Sequence, residues 1–343
     1  MEIGIYTFGD HLPNPVTGEA ATPREKLRQA VRLAKLADEV GLDVFAVGEH
    51  HRLDMAISSP AVVLAAAAEA TQRIRLSSAT TVLNTLDPVR VFEDFATLDL
   101  LSGGRAEIIA GRGSFTENFE LFGHDLKDYD ALFVENLDLL LRLNREERVT
   151  WQGRFRPPLR DAEAAPRPER PIPVWIGMGG TPQSAARAGR MGLPLNIAIL
   201  GGPRRFVPFA ELYRQSAQQA GHAAAARLAV SSHGYIADDG AQARAEHWEI
   251  YGRNMRKGLR NRFPPMDIPR EAYEQETGPH GGIFAGDAKE TVEKVLWERR
   301  LLGIDRLLLQ LDWGGVPFPK VCRGVEILGA EVLPAVRKAL EGR

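Results

Sequence analysis

The chain has 343 residues, a formal net charge of −2, 44% hydrophobic and 26% charged side chains, and one cysteine, Cys322. This balance is typical of a soluble globular protein, and the small net charge gives no reason to expect a nucleic-acid or membrane partner. Because one cysteine excludes an intrachain disulfide, and because the sequence contains no signal-peptide pattern or bilayer-spanning apolar run, we expect a cytoplasmic protein.

Short β-branched runs alternate with helical patterns along the chain. The first helix begins with Thr22 as N-cap, Pro23 at the first helical position and Glu25 three residues after the cap. The predicted strands are Ile3–Phe8, Val44–Val47, Ile74–Val82, Ala106–Ala110, Pro173–Ile176, Leu195–Ile199, Val230–Ala237 and Arg306–Gln310. The predicted helices are Thr22–Val40, Ser59–Thr71, Asp87–Leu101, Tyr129–Leu143, Thr181–Met191, Phe206–Ala220, Ala241–Leu259, Ala288–Leu302 and Lys320–Leu340.

Eight strands in alternation with helices predict a parallel sheet that closes into an α/β (β/α)₈ TIM barrel, in one domain over residues 1–343. A minimal barrel needs ~250 residues, so we expect insertions where the alternation is interrupted. These are Asn144–Arg170, after the fourth strand, and Asn261–Ile283, between the seventh and eighth strands. Within the first, Thr150–Phe155 predicts a small hairpin. Active sites of such barrels form from the loops that follow the strands.

The loop after the fifth strand is rich in glycine and leads directly into a helix. Thr181 is a suitable N-cap, Gly179 and Gly180 let an anion approach the backbone, and Ser184 can add a hydroxyl. Free N–H groups and the positive end of the helix dipole suit a phosphate at this position. We therefore predict a phosphate site between Met178 and Ser184. An ordinary capped helix is the alternative.

Arg112 lies between two glycines directly after the fourth strand. The fourth and fifth strands are neighbours in a barrel, so the guanidinium can reach the same anion. A salt bridge to a loop carboxylate is the alternative. The two loops together favour a phosphorylated ligand.

Two histidines follow the second strand, in Gly48-Glu49-His50-His51. Three consecutive ligands with no His-x-x-x-His helix do not fit a metal ion, so no metal site is predicted. Because histidine changes protonation near neutral pH, we predict His50 as a site residue beside a reacting centre. The alternative that both histidines are structural and bond to neighbouring loops remains open. Strand alternation alone does not show which of His50 and His51 is the site residue.

The predicted helix Ser59–Thr71 is apolar almost all round, whereas the outer helix of a barrel needs only one apolar face. We therefore expect a homodimer that buries its outer face. The alternative is that an insertion of the same chain covers the outer face of this helix.

The chain resembles the bacterial luciferase-like flavin-dependent monooxygenases over essentially its whole length. The order and spacing of several motifs carry this resemblance. They are Gly48-Glu49-His50-His51, Asp87-Pro88-Val89-Arg90, Leu98-Asp99-Leu100-Leu101-Ser102-Gly103-Gly104-Arg105, Gly111-Arg112-Gly113, Phe122-Gly123, and Pro173-Val174-Trp175 through Gly192-Leu193-Pro194.

The resemblance implies a TIM barrel that binds FMN at its C-terminal face. It implies that His50 lies beside the reacting flavin carbon, and that Ala79 and Thr80 pass under the isoalloxazine ring, sometimes through a non-proline cis peptide. The family also pairs through its second and third helices, which agrees with a homodimer. The residues that match the phosphate-binding positions are Arg112, Gly180, Thr181 and Ser184.

Three departures qualify the match. Luciferase has an acidic residue in the phosphate loop where this chain has Gly180. The segment after Gly113 lacks the Asn-Glu signature of deazaflavin-dependent relatives, which favours FMN over F420. The segment Asn261–Gly282 does not match the luciferase mobile loop, so the substrate identity cannot be transferred.

The leading hypothesis is a monooxygenase that uses reduced FMN and O₂ to oxygenate a small organic substrate, with His50 assisting by proton transfer or hydrogen bonding. Because no second dinucleotide fingerprint is found, electrons come from NAD(P)H directly or through a separate flavin reductase. The alternatives are a flavin- or F420-dependent reductase without oxygen chemistry, a non-catalytic flavin-binding protein, and an unrelated barrel enzyme for a phosphorylated sugar.

Overall fold

The structure is a computed structural model that describes residues 1–258 and 264–341. Its strands are β1 (Glu2–Thr7), β2 (Val44–Val47), β3 (Arg75–Ser78), β4 (Thr81–Val82), β5 (Ala106–Gly111), β6 (Arg148–Trp151), β7 (Leu159–Glu163), β8 (Val174–Met178), β9 (Leu195–Ala198), β10 (Leu228–Ile236), β11 (Phe284–Gly286) and β12 (Arg306–Gln310). Its α-helices are α1 (Pro23–Glu39), α2 (Pro60–Glu69), α3 (Pro88–Ser102), α4 (Glu117–Leu121), α5 (Tyr129–Arg145), α6 (Pro182–Arg190), α7 (Val207–Gln219), α8 (Gly240–Lys257), α9 (Arg270–Thr277), α10 (Ala288–Leu302), α11 (Phe318–Ile327) and α12 (Leu333–Glu341).

The barrel is closed by parallel pairing in the order β1-β2-β3-β5-β8-β9-β10-β12, and β12 returns to β1. The predicted (β/α)₈ fold is therefore confirmed, with all eight strand positions occupied. The predicted third strand is divided into β3 and β4, with a cis peptide between Ala79 and Thr80. The predicted capping box of α1 is present, since Glu25 N–H donates to Thr22 Oγ1 and Thr22 N–H donates to Glu25 Oε2.

The two insertions differ from their predicted form. The first contains an antiparallel hairpin of β6 and β7, in which Arg148 pairs with Glu163, so the hairpin is wider than the predicted Thr150–Phe155. The second contains α9 and is followed by β11, which pairs in parallel with the carboxyl end of β10. Both elements are too short for a periodic pattern to show them. The predicted helix end at Leu259 and the predicted insertion start at Asn261 lie outside the described residues.

The lumen of the barrel has its own apolar cluster, separate from the core between barrel and helices. Its members are Tyr6, Val44, Ala46, Ala79, Ile109, Trp175, Ala229 and Leu308. At the amino ends of the strands, the fully buried Arg306 donates to Glu107 and Glu2 and lies 4.4 Å from the centroid of the Trp175 ring. An ion-paired and hydrogen-bonded plug thus fills this end, and the open end is the mouth at the carboxyl ends of the strands.

Two further properties concern the described residues as a set. Across residues 1–258 and 264–341, no helix is long and apolar enough to cross a bilayer. Within the same ranges, no group of three or more His, Cys, Asp or Glu side chains is arranged to hold a metal ion.

Candidate active site at the barrel mouth

The loops after β5 and β8 meet at the mouth because these strands pair in parallel, with Ala110 opposite Ile176. Arg112 follows β5 and donates a hydrogen bond from Nη2 to Thr181 Oγ1. Its Nη1 pairs with Asp130 of α5, whose side chain is 70% exposed. An ion pair with such an exposed carboxylate contributes only about 0–1 kcal/mol to the stability of the fold. Arg112 therefore contacts both the β8–α6 loop and a carboxylate of α5.

The β8–α6 loop presents hydroxyls and bare backbone to the same place. Thr181 occupies the N-cap position, but its hydroxyl caps no helix N–H and lies 3.4 Å from the Ser184 hydroxyl. Gly180 has φ of +128°, and a Cβ on Gly179 or Gly180 would have no neighbour within 4 Å. The space above both glycines can therefore admit an anion. Met178 differs, because its side chain is buried in the core outside the barrel, leaving only its backbone to the loop.

Arg187 completes this group and was missed by the sequence reasoning. Its Nη1 is buried and has no hydrogen-bond partner among the described residues. Burial, and next the charge of Arg112, lower the pKa of the Arg187 guanidinium. An anion between the two guanidiniums would offset both effects. The signal that could have found Arg187 is its position three residues after Ser184, on the same face of α6.

A floor of glycines lies beside this cationic loop. Gly111 and Gly177 come two residues after the lumen residues Ile109 and Trp175, so they also face the lumen. A Cβ on Gly111 would lie 2.5 Å from Thr80 Oγ1, and one on Gly177 would lie 2.7 Å from Thr80 Cγ2. The absence of side chains at Gly111 and Gly177 therefore leaves room for the Thr80 side chain beside them at the mouth.

The two histidines after β2 have different surroundings. His51 Nε2 lies 2.8 Å from Glu49 Oε1, and the other oxygen of this buried carboxylate accepts the Val82 N–H at 2.9 Å. His51 thus takes the structural role that the sequence left open. His50 instead contacts two aromatic rings, with centroid distances of 4.6 Å to Phe8 and 4.7 Å to Phe115.

The wall formed by β1, β10 and β12 holds polar groups that the sequence reasoning did not connect. Thr7 Oγ1 donates to Asp312 Oδ2 at 2.6 Å, and Gly314 N–H donates to Asp10 Oδ2 at 3.0 Å. Burial, and next the charge of Asp312, raise the pKa of the Asp10 carboxyl. Asp312 follows the end of β12. Asp10 was missed, because it lies in an irregular loop and its partner Gly314 is 304 residues away in the sequence.

A cavity of about 420 Å³ lies outside the barrel, between α8, α9, β11 and α10. Its lining combines the cations Arg244, Arg270 and Lys294 with several glutamates. None of the predicted site residues lines it. The chemistry of the mouth therefore depends on the loop residues and not on this cavity.

Comparison with known proteins agrees with the fold and with the motifs. The family model described as luciferase-like monooxygenase matches residues 1–302, and the chain belongs to this family. The resemblance drawn from the sequence is thereby confirmed.

Relatives of different activity are found in the family. The 4-hydroxyprotoasukamycin monooxygenase of Streptomyces nodosus subsp. asukaensis is 29% identical, covering 98% of this chain and 94% of that protein. The F420-dependent glucose-6-phosphate dehydrogenase of Amycolatopsis mediterranei is 32% identical, covering 51% of this chain and 54% of that protein.

Solved structures match over almost the whole chain. Monooxygenase RslO1 from Streptomyces bottropensis has a TM-score of 0.83 at 25% identity, covering 97% of this chain and 99% of that chain. The oxygenating constituent of 3,6-diketocamphane monooxygenase from Pseudomonas putida, in complex with FMN, has a TM-score of 0.76 at 18% identity. That match covers 97% of this chain and 98% of the other.

Proposed function

We propose that this protein is an FMN-dependent monooxygenase that uses reduced flavin and O₂ to oxygenate a small organic substrate. One observation carries the proposal: Arg112, the hydroxyls of Thr181 and Ser184, and the bare glycines Gly179 and Gly180 lie together beside the glycines that accommodate Thr80. FMN combines a phosphate with a planar ring, so its two ends suit these two features. The family and its monooxygenase relatives support the same reaction class.

The phosphate end has a defined set of candidate ligands. Arg112 and Arg187 supply the charge, Thr181 and Ser184 supply hydroxyl donors, and the Gly180 region supplies backbone N–H groups at the start of α6. Arg187 Nη1 is buried and has no hydrogen-bond partner in the described part of the chain, so a ligand there would satisfy it.

The ring end is bordered by Ala79, Thr80 and His50. Reduced FMN bound there would supply the two electrons needed to transfer one oxygen atom of O₂ to the substrate and to release the other as water. The His50 imidazole lies between the Phe8 and Phe115 rings, and one of its ring nitrogens can donate or accept a proton during the oxygen transfer. Its aromatic neighbours limit access of water to that nitrogen.

The segment around α9 contributes a cover over the adjoining wall. Tyr273 of α9 is buried, donates its hydroxyl hydrogen to the Arg244 carbonyl, and lies 3.0 Å from His247 Nδ1. These contacts fix α9 to α8. NAD(P)H provides the electrons, either directly or through a separate flavin reductase. The single cysteine supports a cytoplasmic location.

Titration with oxidised and reduced FMN tests the proposal. Arg112→Ala should weaken FMN binding about a hundredfold, because two charge-assisted contacts are lost. Arg253→Ala, which removes an exposed arginine paired with Glu249 on α8, is the matched control. Turnover under isotope-labelled O₂ should place one labelled atom in the product. The proposal would be ruled out if the wild type and Arg112→Ala both failed to bind FMN in either redox state.

A second candidate is a reductase or dehydrogenase that uses F420 or flavin without oxygen chemistry. The F420-dependent relative, 32% identical over half of the chain, favours it. Tighter binding of F420 than of FMN, with product formation unchanged under argon, would select this candidate. A His50→Ala variant that binds FMN and turns over normally would instead indicate a different base or a non-catalytic flavin-binding protein.

We further propose a homodimer formed through α2. The outer face of this helix is apolar and exposed in the single chain, with Val62 70% exposed, while Val63 and Leu64 pack inward. Sedimentation equilibrium should give twice the chain mass for the wild type and the single mass for Val62→Arg. Val16→Arg, at another exposed valine that lies before α1, should leave the dimer intact. A monomeric wild type would contradict the proposal.

A further inference from the structure

His233 and Gln310 form an adjacent pair on neighbouring strands. The register of β10 and β12 places these two residues directly opposite each other. Ala229 and Leu308, which precede them by four and two residues, belong to the lumen cluster. Because side chains alternate along a strand, His233 and Gln310 also face the lumen, at its mouth.

Both side chains of this pair carry a buried polar atom without a partner. Gln310 is 1% exposed, and its Oε1 has no hydrogen-bond partner among the described residues. The same holds for His233 Nδ1. Buried polar atoms are almost always hydrogen-bonded, so two adjacent exceptions at an open end of the lumen point to a ligand.

The surroundings of the pair define the chemistry of that ligand. The His233 ring lies 5.7 Å from the Trp313 ring, which lies 5.6 Å from Tyr251, so the adjoining wall is aromatic. Gln310 Nε2 lies 3.5 Å from Asp312 Oδ1. Burial lowers the pKa of His233 to about 4, so the imidazole is neutral at physiological pH. A neutral pair beside a carboxyl group disfavours anions.

We propose that His233 and Gln310 form a subsite for a neutral ligand group that carries an O–H or N–H donor. Gln310 Oε1 accepts from that group, and His233 Nδ1 donates or accepts according to its tautomer. The inference rests on the proposed function for the identity of the ligand. Two sources share this chemistry: the organic substrate and the polar edge of the flavin ring. In the barrel order, β12 lies opposite β5, so the subsite lies across the mouth from Arg112.

Two apolar variants of similar size test the pair, Gln310→Met and His233→Phe. Ser232→Ala is the matched control, because the Ser232 hydroxyl is equally buried and unpartnered but belongs to the outward face of the same strand. Each protein is titrated calorimetrically with FMN, and separately with benzamide and benzoate. The two aromatic probes have the same shape, but only benzamide is neutral and has N–H donors.

Benzamide should bind the wild type at least about tenfold more tightly than benzoate. Both variants should lose about tenfold in benzamide affinity, while Ser232→Ala changes it less than twofold. If FMN affinity is unchanged in both variants, the pair serves the organic substrate. If FMN affinity falls about tenfold instead, the pair serves the flavin edge.

The inference is overturned if neither variant alters benzamide or FMN affinity, or if wild type binds benzoate as well as benzamide. It is also overturned if wild type binds neither benzamide nor FMN. If Gln310→Met does not fold, the benzamide and FMN affinities of His233→Phe and the preference of the wild type for benzamide over benzoate still test the inference. Wild type that binds benzamide but no FMN would refute the proposed function alone, because the benzamide titration needs no flavin.

Discussion

The two walls of the barrel mouth satisfy their polar groups in different ways. On the β5–β8 wall, Arg112 already has a hydroxyl and a carboxylate partner, and bare glycines leave space above the loop. On the β10–β12 wall, His233 and Gln310 keep buried polar atoms with no partner in the described part of the chain. One wall is cationic, whereas the other presents a neutral pair beside a carboxyl group.

The two walls are therefore suited to recognise two different ligand groups, a phosphate and a neutral donor group. A phosphate is recognised by charge and by backbone N–H groups, which tolerate small shifts of the ligand. A neutral donor group is recognised by fixed single atoms, and a mismatch leaves those atoms buried without partners. Cofactor affinity and substrate choice should therefore respond to substitutions on opposite walls.

The largest effect is expected where the glycine floor is filled. Gly177→Val should weaken binding of FMN and of riboflavin by more than about a hundredfold, because its side chain would displace Thr80, which borders the proposed ring position. Gly202→Ala is the control, since a Cβ there meets nothing within 4 Å and the backbone has a negative φ. Equilibrium dialysis with both ligands measures the effect. Wild-type affinity in Gly177→Val would show that the ring does not lie on this floor.

The sequence predicted the β5–β8 wall better than the β10–β12 wall, for a physical reason. The phosphate loop is local: Gly179, Gly180 and Thr181 are consecutive, and their conformational preferences are visible in the sequence. His233 acquires its partner Gln310 only through strand register, across 77 positions of sequence (310 − 233). Nothing in either neighbourhood marks the pair.

The same contrast appears in the fold. Eight strand positions and the capping box of α1 follow from alternation and helix-start signals, and the structure confirms them. The helix α9 and the strand β11 were missed, since their eight and three residues are too few for a period to emerge. Tertiary contacts made by Tyr273, and pairing with β10, stabilise them instead.

A smaller effect is expected from the second guanidinium of the cationic wall. Arg187→Met should weaken FMN binding about tenfold and leave riboflavin binding unchanged, because riboflavin has no phosphate. Arg190→Met, an exposed arginine on the same helix, should bind both ligands like the wild type. Fluorescence titration at two salt concentrations measures this, with a smaller salt dependence expected for Arg187→Met. Equal loss of riboflavin affinity would mean that Arg187 supports the loop and not the phosphate.

The smallest effect concerns α9 beside the neutral wall, and it depends on pH. Burial lowers the pKa of His247 to about 3 from an ordinary 6.5. Below about pH 6.5, His247 is therefore protonated in the unfolded chain but stays neutral in the folded chain. Stability is therefore lost as the pH falls through this window, by about 2 kcal/mol between about pH 7.5 and about pH 5 for one such histidine. Urea unfolding should show that His247→Gln removes this part of the loss, although the variant is less stable at pH 7.5. Tyr273→Phe should keep the full loss, because burial and not the Tyr273 hydroxyl is the first cause of the shift. A pH dependence in His247→Gln as steep as in the wild type would mean that His247 takes up its proton in the folded state.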